Sequence, residues 1–190
     1  VYHQSNGTWN EICSKNLVNS FGIRTSDNKL WWHIGNGSSW LGSGGVPSTG
    51  SIPENEWTHV AVTWDGSTVK FYINGELDKS SSHSGTMGSN TQTRGLGNYP
   101  NVNGSGSAYK GSLDEVRIWN DVRTASEIKE NYRIQLDTTG ENNLLAYYNF
   151  DIEDSVTTLT DLSGNGIDGT LTNMSGAEWT VGQDSLSFEI

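Results

Sequence analysis

Residues 59–73 constrain the fold of this chain more tightly than any other stretch. His59-Val60-Ala61-Val62-Thr63-Trp64 is followed by Asp65-Gly66 and then by Thr68-Val69-Lys70-Phe71-Tyr72-Ile73. Side chains alternate between the two faces of a strand, so Val60, Val62 and Trp64 share one side, as do Val69, Phe71 and Ile73. Asp-Gly between the two runs predicts a tight turn, because glycine takes positive φ without a Cβ clash, and Asn74-Gly75 ends the second strand. A lone two-stranded hairpin is barely stable in water, so this apolar face demands more sheet.

The rest of the chain supplies it. Asn28 to Ile34 alternates so that Leu30, Trp32 and Ile34 face one way and Trp31 and His33 the other. Phe21-Gly22-Ile23-Arg24 precedes it as a strand. Leu113 to Trp119 and Leu144 to Phe150 read as further strands, with a bulge expected at Asp114-Glu115. Two more strands are predicted near 177–181 and 185–190. One helix is legible: Thr124 caps Ala125-Ser126-Glu127, Glu127 completes a capping box, and Ile128 and Tyr132 lie four apart. Many short strands, Gly/Asn/Ser/Asp turns and one short helix predict an all-β, two-sheet antiparallel jelly-roll sandwich. At 190 residues it reads as a single domain, 1–190. Eight Trp, seven Tyr and four Phe are too many aromatics for a disordered chain and call for burial or a ligand.

Charge narrows the partners. Eleven Lys and Arg against 22 Asp and Glu leave a net −11, which repels phosphate backbones and anionic membranes, so nucleic acid is excluded as a partner. No apolar run is long enough for membrane insertion, and no signal-peptide pattern opens the chain, as expected of a mature or excised segment. The single Cys13 forms no internal disulfide and reads as a small buried hydrophobe.

The hairpin motif from Trp57 to Gly66, continuing through Phe71-Tyr72-Ile73-Asn74-Gly75, resembles the signature of bacterial laminin-G-like domains of the concanavalin A-like lectin/glucanase superfamily. Gly111 to Asn120 with the helix start that follows is similar to that family's second signature. Leu144 to Gly169, with Asp161-Leu162-Ser163-Gly164-Asn165-Gly166, is similar to a third. The resemblance implies a concanavalin A-like sandwich and a lectin, glucanase or adhesion role. In the family a strand like Ser185-Leu186-Ser187-Phe188 usually opens the domain. The expectation is therefore that 185–190 replaces the missing first strand, or that the chain is part of a longer protein.

Catalysis finds little support. The Glu-x-Asp-x-x-Glu strand motif of the retaining glucanases is absent. Asp151 and Glu153 are the nearest pair, two apart on a strand running into a polar loop, where solvated ends are the simpler reading. His3, His33, His59 and His83 have no metal-ligand spacing. Asp161, Ser163, Asn165 and Gly166 mimic the first half of a calcium loop, with Asp168 as a further oxygen, so structural Ca²⁺ is the one cofactor considered. Position twelve is Thr172, which excludes an EF-hand, and an ordinary Asn-Gly turn is the alternative. The calcium-binding acids of pentraxins, more distant superfamily members, do not carry over: Gly97-Asn98-Tyr99-Pro100 and Lys110 stand in their places.

Sugar recognition needs flat aromatic faces and hydrogen-bonding groups beside them. Trp31 and His33 lie off the core face, with Arg24 in the preceding strand. Trp40 sits on a polar loop tip expected to be flexible, Tyr99 lies between asparagines, and Lys70 and Tyr72 point away from the hairpin's apolar side. Trp32, Trp57 and Trp64 read as core. The sequence therefore predicts a non-catalytic carbohydrate-binding module recognising a polysaccharide through these residues, extracellular or on a bacterial surface and joined to other domains. The alternatives are a protein adhesion module and, more remotely, a degenerate glycoside hydrolase.

Overall fold

Antiparallel pairing organises the chain throughout the computed structural model, which describes residues 1–42, 44–99, 107–151 and 157–172. The chain divides into two compact units, Val1–Ser112 and Leu113–Ile190. The strands expected near 177–181 and 185–190, and Glu153 with them, lie outside the described residues.

The first unit contains β1 (Tyr2–His3), β2 (Trp9–Lys15), β3 (Asn19–Arg24), β4 (Lys29–Ile34), β5 (Val46–Ser51), β6 (Val60–Trp64), β7 (Thr68–Ile73), β8 (Glu76–Ser82), β9 (Arg94–Leu96) and β10 (Gly111–Ser112). A five-stranded sheet runs β5-β4-β3-β2-β9, a three-stranded sheet runs β6-β7-β8, and β1 pairs with β10. The predicted hairpin is β6–β7, with Val60 opposite Ile73, Val62 opposite Phe71 and Trp64 opposite Val69. Its turn is held by Asp65, whose carboxylate accepts from the backbone N–H groups of Ser67 and Thr68, and Gly66 takes φ 95°.

In the five-stranded sheet, Ile23, Leu30, Ile34 and Trp32 turn into the core as the alternation requires. β5 meets β8 at a sheet edge: both oxygens of the Asp78 carboxylate accept from Thr49 and Gly50 N–H, and Lys79 Nζ donates to the Pro47 carbonyl. A buried polar knot joins β1, β2 and β10. His3 and Asn10 are fully buried, Asn10 Nδ2 is 2.8 Å from His3 Nδ1, and His3 Nε2 is 3.1 Å from Asn28 Oδ1. Asn10 also donates to the Gln4 carbonyl and accepts from Lys110 N–H, so no buried group there is left unpaired.

The second unit contains β11 (Val116–Trp119), α1 (Ala125–Asn131), β12 (Leu144–Tyr148), β13 (Thr158–Leu159) and β14 (Gly169–Thr170). β11 pairs with β12 and β13 with β14. The Thr124–Glu127 capping box forms as predicted and Ile128 is the buried face of α1. Arg123 lies 4.0 Å over the Trp119 ring and pairs with Glu127 at 2.9 Å. β11 starts at Val116, three residues later than the sequence reading. Glu115 takes φ 52°, which breaks the strand, and its carboxylate accepts from Tyr147 Oη and Arg117.

The loop after β13 is organised around buried Asp161. One carboxylate oxygen accepts from Tyr147 and Ser163 N–H, the other from Ile167 N–H and Ser163 Oγ, all at 2.8–3.0 Å. Burial alone would raise this carboxyl's pKa, but the bonds outweigh it and hold it below the ordinary value. Asp161→Ala strands three backbone donors and is expected to cost about 3 kcal/mol in a denaturant titration. The depressed pKa makes the wild-type contribution full at neutral pH and lost as pH falls through the folded value. A variant as stable as wild type at pH 7 would remove Asp161 as the organiser of this loop.

Candidate functional site

The register of β2, β3 and β4 builds a groove on the face of the five-stranded sheet opposite the core. Trp9 pairs with Arg24, which pairs with Lys29. Glu11 pairs with Gly22, which pairs with Trp31. Ser20 pairs with His33. Because Ile23, Leu30 and Trp32 turn inward, these intervening residues turn outward. Trp9, Glu11, Ser20, Trp31, His33, Trp40, Tyr99 and Ser107 line the resulting cavity of about 310 Å³.

Each aromatic is braced. Trp9 meets Trp31 edge-on at 5.5 Å and 70°, and the Arg24 guanidinium lies 4.6 Å over the Trp31 ring. Gly45 makes room for that indole, since a Cβ there would overlap its nitrogen. Trp40 stacks on His33 at 4.5 Å and 15°, and Tyr99 lies tilted against Trp40 at 6.5 Å. Tyr99 Oη donates to Asn16 Oδ1 at 2.6 Å. Burial first, and then the Glu11 charge, raise the Tyr99 pKa, so it remains a phenol. His33 is within 3.3 Å of the Leu41 carbonyl, and burial lowers its pKa, keeping the imidazole neutral at pH 7.

Four of the residues singled out in the sequence therefore meet in one groove: Trp31, His33, Trp40 and Tyr99. Arg24 adjoins them through Trp31, but its charge is engaged by Asp27, with Nε to Oδ1 at 2.9 Å and a second, shorter bond from Nη2. Three expectations need correction. Tyr72 is 2% exposed, because β7 is the central strand of its sheet and Tyr72 lies between Ala61 and Leu77, so it offers no surface. Lys70 is half-buried in that same sheet and does not line the groove. The loop carrying Trp40 is not a free tip. Gly35 and Trp40 form a bridge, Asn36 Oδ1 accepts from Ser38 and Ser39 N–H, and Asn90 Nδ2 donates to the Gly37 and Asn16 carbonyls.

Sequence reading missed Trp9, Glu11, Ser20 and Ser107. In β2 the alternation is interrupted by a β-bulge: Glu11 faces Gly22 but Cys13 faces Phe21, so Ile12 is an extra residue; Ser20 on β3 and Ser107 in a loop carry no pattern that marks them. Strict alternation puts Glu11 and Cys13 on one face, and the bulge separates them.

The calcium set was tested by its bonding. Both Asp161 oxygens serve N–H and O–H donors, Asp168 Oδ1 accepts from Asp161 N–H, and Asn165 Nδ2 points at the Leu144 and Leu145 carbonyls. Asp161, Ser163, Asn165 and Asp168 thus bind the loop to itself instead of presenting convergent oxygens, which does not fit a calcium shell. Among the described residues no group of three or more His, Cys, Asp or Glu could hold a metal ion. Asp151 is exposed and bonded to Asn149 and Gln135.

A family model described as the concanavalin A-like lectin/glucanases superfamily matches residues 1–129. The chain belongs to this superfamily. Its all-β sandwich, the laminin-G-like resemblance and the antiparallel sheets agree. Among solved structures, a Bacteroides ovatus protein provisionally described as carbohydrate-binding superposes with a TM-score of 0.69 at 22% identity, covering 90% of this chain and 51% of that protein. The chain thus spans about half the length of that neighbour. A heptameric pentraxin from Limulus polyphemus gives 0.45 at 18% identity over 64% of this chain and 61% of its own. An S-layer domain-containing protein from Clostridium thermocellum gives 0.35 at 23% over 68% and 66%. A search of curated proteins finds no match. No helix among the described residues is long and apolar enough to cross a membrane.

Glu11 is the one strongly perturbed acid in the groove. Burial pushes its pKa from 4.5 up to about 7, against the opposing pull of the Ser20 hydroxyl. Between pH 4.5 and 7 the folded state keeps a proton that the unfolded state sheds, so stability falls as pH rises through that window. The shift corresponds to about 3 kcal/mol above pH 7. Glu11→Gln is expected to raise the unfolding temperature at pH 8 and leave it unchanged at pH 4; equal effects at both pH values would refute the burial account.

Proposed function

We propose that this chain is a non-catalytic carbohydrate-binding module whose groove, floored by Trp31, walled by Trp9, Trp40 and Tyr99 and supplied with polar atoms by Glu11, Ser20 and His33, holds a polysaccharide. The convergence of aromatic and polar side chains from β2, β3, β4 and two loops on one open groove carries this reading. Trp31 has one face under Arg24 and Trp40 has one face against His33, and the opposite faces serve to stack on the apolar side of a sugar ring. The carbohydrate-binding description of the Bacteroides ovatus neighbour supports the ligand class, and superfamily membership supports the scaffold. The fold itself is shared by glycosidases and does not decide function.

The reading includes an extracellular or cell-surface setting, where such a module would bring other domains of a longer protein to a glycan. Open grooves desolvate their ligands only in part, so affinities in the micromolar-to-millimolar range follow, on the order of −4 to −8 kcal/mol. Affinity electrophoresis through a panel of polysaccharides is expected to retard the wild-type chain, and Trp31→Ala and Trp40→Ala to abolish the retardation without unfolding it. EDTA is expected to change neither retardation nor unfolding temperature. Absence of retardation by every glycan would move the assignment to a protein adhesion module.

A further inference from the structure

The cavity's polar chemistry is uneven, and that unevenness selects a ligand. Glu11 is 6% exposed, and among the described residues its two carboxylate oxygens accept only from the Ser20 hydroxyl, at 3.0 Å to each. A carboxylate has about four lone-pair sites, so a buried one served by a single hydroxyl is under-satisfied. Among the described lining residues no Lys or Arg answers it. Arg24 beside the groove is committed to Asp27 in two bonds, and Arg94 on β9 donates to Asn19 Oδ1 and lies against Cys13. Gly22, between Glu11 and Trp31 in their cross-strand row, places no side chain in that row. β2 and β4 lie two strand spacings apart, roughly 10 Å, which leaves the width of a sugar ring between carboxylate and indole.

We propose that Glu11 is the specificity determinant of the groove: its carboxylate accepts hydroxyl hydrogens of a neutral sugar ring seated against Trp31, and its charge bars uronic and sulfated sugars. The inference rests on the carbohydrate reading above and deepens it to a ligand class. Neighbouring hydroxyls of a neutral pyranose supply the donors the carboxylate lacks. An anionic substituent would bring like charge to a buried acid on a chain already at −11. Hydroxyl donors favour the ionised form, so binding near pH 7 releases a fraction of a proton from Glu11. The other titratable groups around it are His33 on β4, Cys13 on β2 and Tyr99 in the loop after β9. His33 is already neutral at pH 7, and Cys13 and Tyr99 hold their protons there, with burial the first cause in each case.

The test uses the full chain with neutral polysaccharides and their carboxymethylated or sulfated counterparts, by affinity electrophoresis and then by titration calorimetry in two buffers of different ionisation enthalpy. The expected result is retardation by a neutral glycan, at least about ten-fold weaker binding of its anionic counterpart, and a similar loss in Glu11→Gln. Proton release should be present in wild type and missing in Glu11→Gln. Unfolding temperature checks that each variant is folded. If Glu11→Gln binds as wild type while Trp31→Ala does not, or if the anionic form binds equally well, the assignment of Glu11 falls and the carbohydrate reading stands. If no glycan binds the wild type, both fall.

Discussion

The site depends on where β2 slips by one residue. An antiparallel strand fixes the face of every side chain once its register is set, and a single extra residue reverses the assignment from that point on. Ile12 is that residue. It lets the first half of β2 send Trp9 and Glu11 outward while the second half keeps pairing with β3 and β9. Without it, keeping Cys13 opposite Phe21 would turn Glu11 inward and Asn10 outward together. The buried polar knot and the outward groove are thus two faces of one irregularity.

How much of this was legible from the amino acids follows the same physics. The β6–β7 hairpin, β4 and the capped helix were readable because each is specified locally, by alternation, by an Asp-Gly turn and by a Thr-x-x-Glu cap. Trp31 and His33 followed from the alternation of β4, and Trp40 and Tyr99 from being aromatics in polar loops. Glu11 and Trp9 were hidden because the mixed polar and apolar run Trp9–Lys15, bulged at Ile12, shows no clean apolar face that would mark it as a strand. Tyr72 was misjudged for another reason. Periodicity gives the face a residue occupies but not whether neighbouring strands cover that face, and a central strand flanked by Ala61 and Leu77 buries both. Asp161 and its neighbours show a third limit: spacing identifies oxygen-bearing residues, while the N–H groups that claim those oxygens come from the loop itself at Ser163 and Ile167 and from Tyr147 on β12, seen only once the chain is folded.

The two acids described here are opposite solutions to burial. Asp161 is surrounded by donors and strengthens its loop, so its charge is an asset to folding at neutral pH. Glu11 has a single donor among the described residues and is a liability at the same pH. A buried, poorly paired carboxylate that lines an open groove is a common mark of a residue retained for what it binds.

Gly22 gives this arrangement an unexpected durability. A Cβ at that position would strike the carbonyl of Asn10 and crowd the backbone of Glu11. Mutations that would plug the groove at its middle are therefore penalised by the packing of the sheet before any ligand is involved. Selection for a folded chain keeps the passage clear on its own, and drift in the surrounding rings can then reshape the groove without the opening itself being lost.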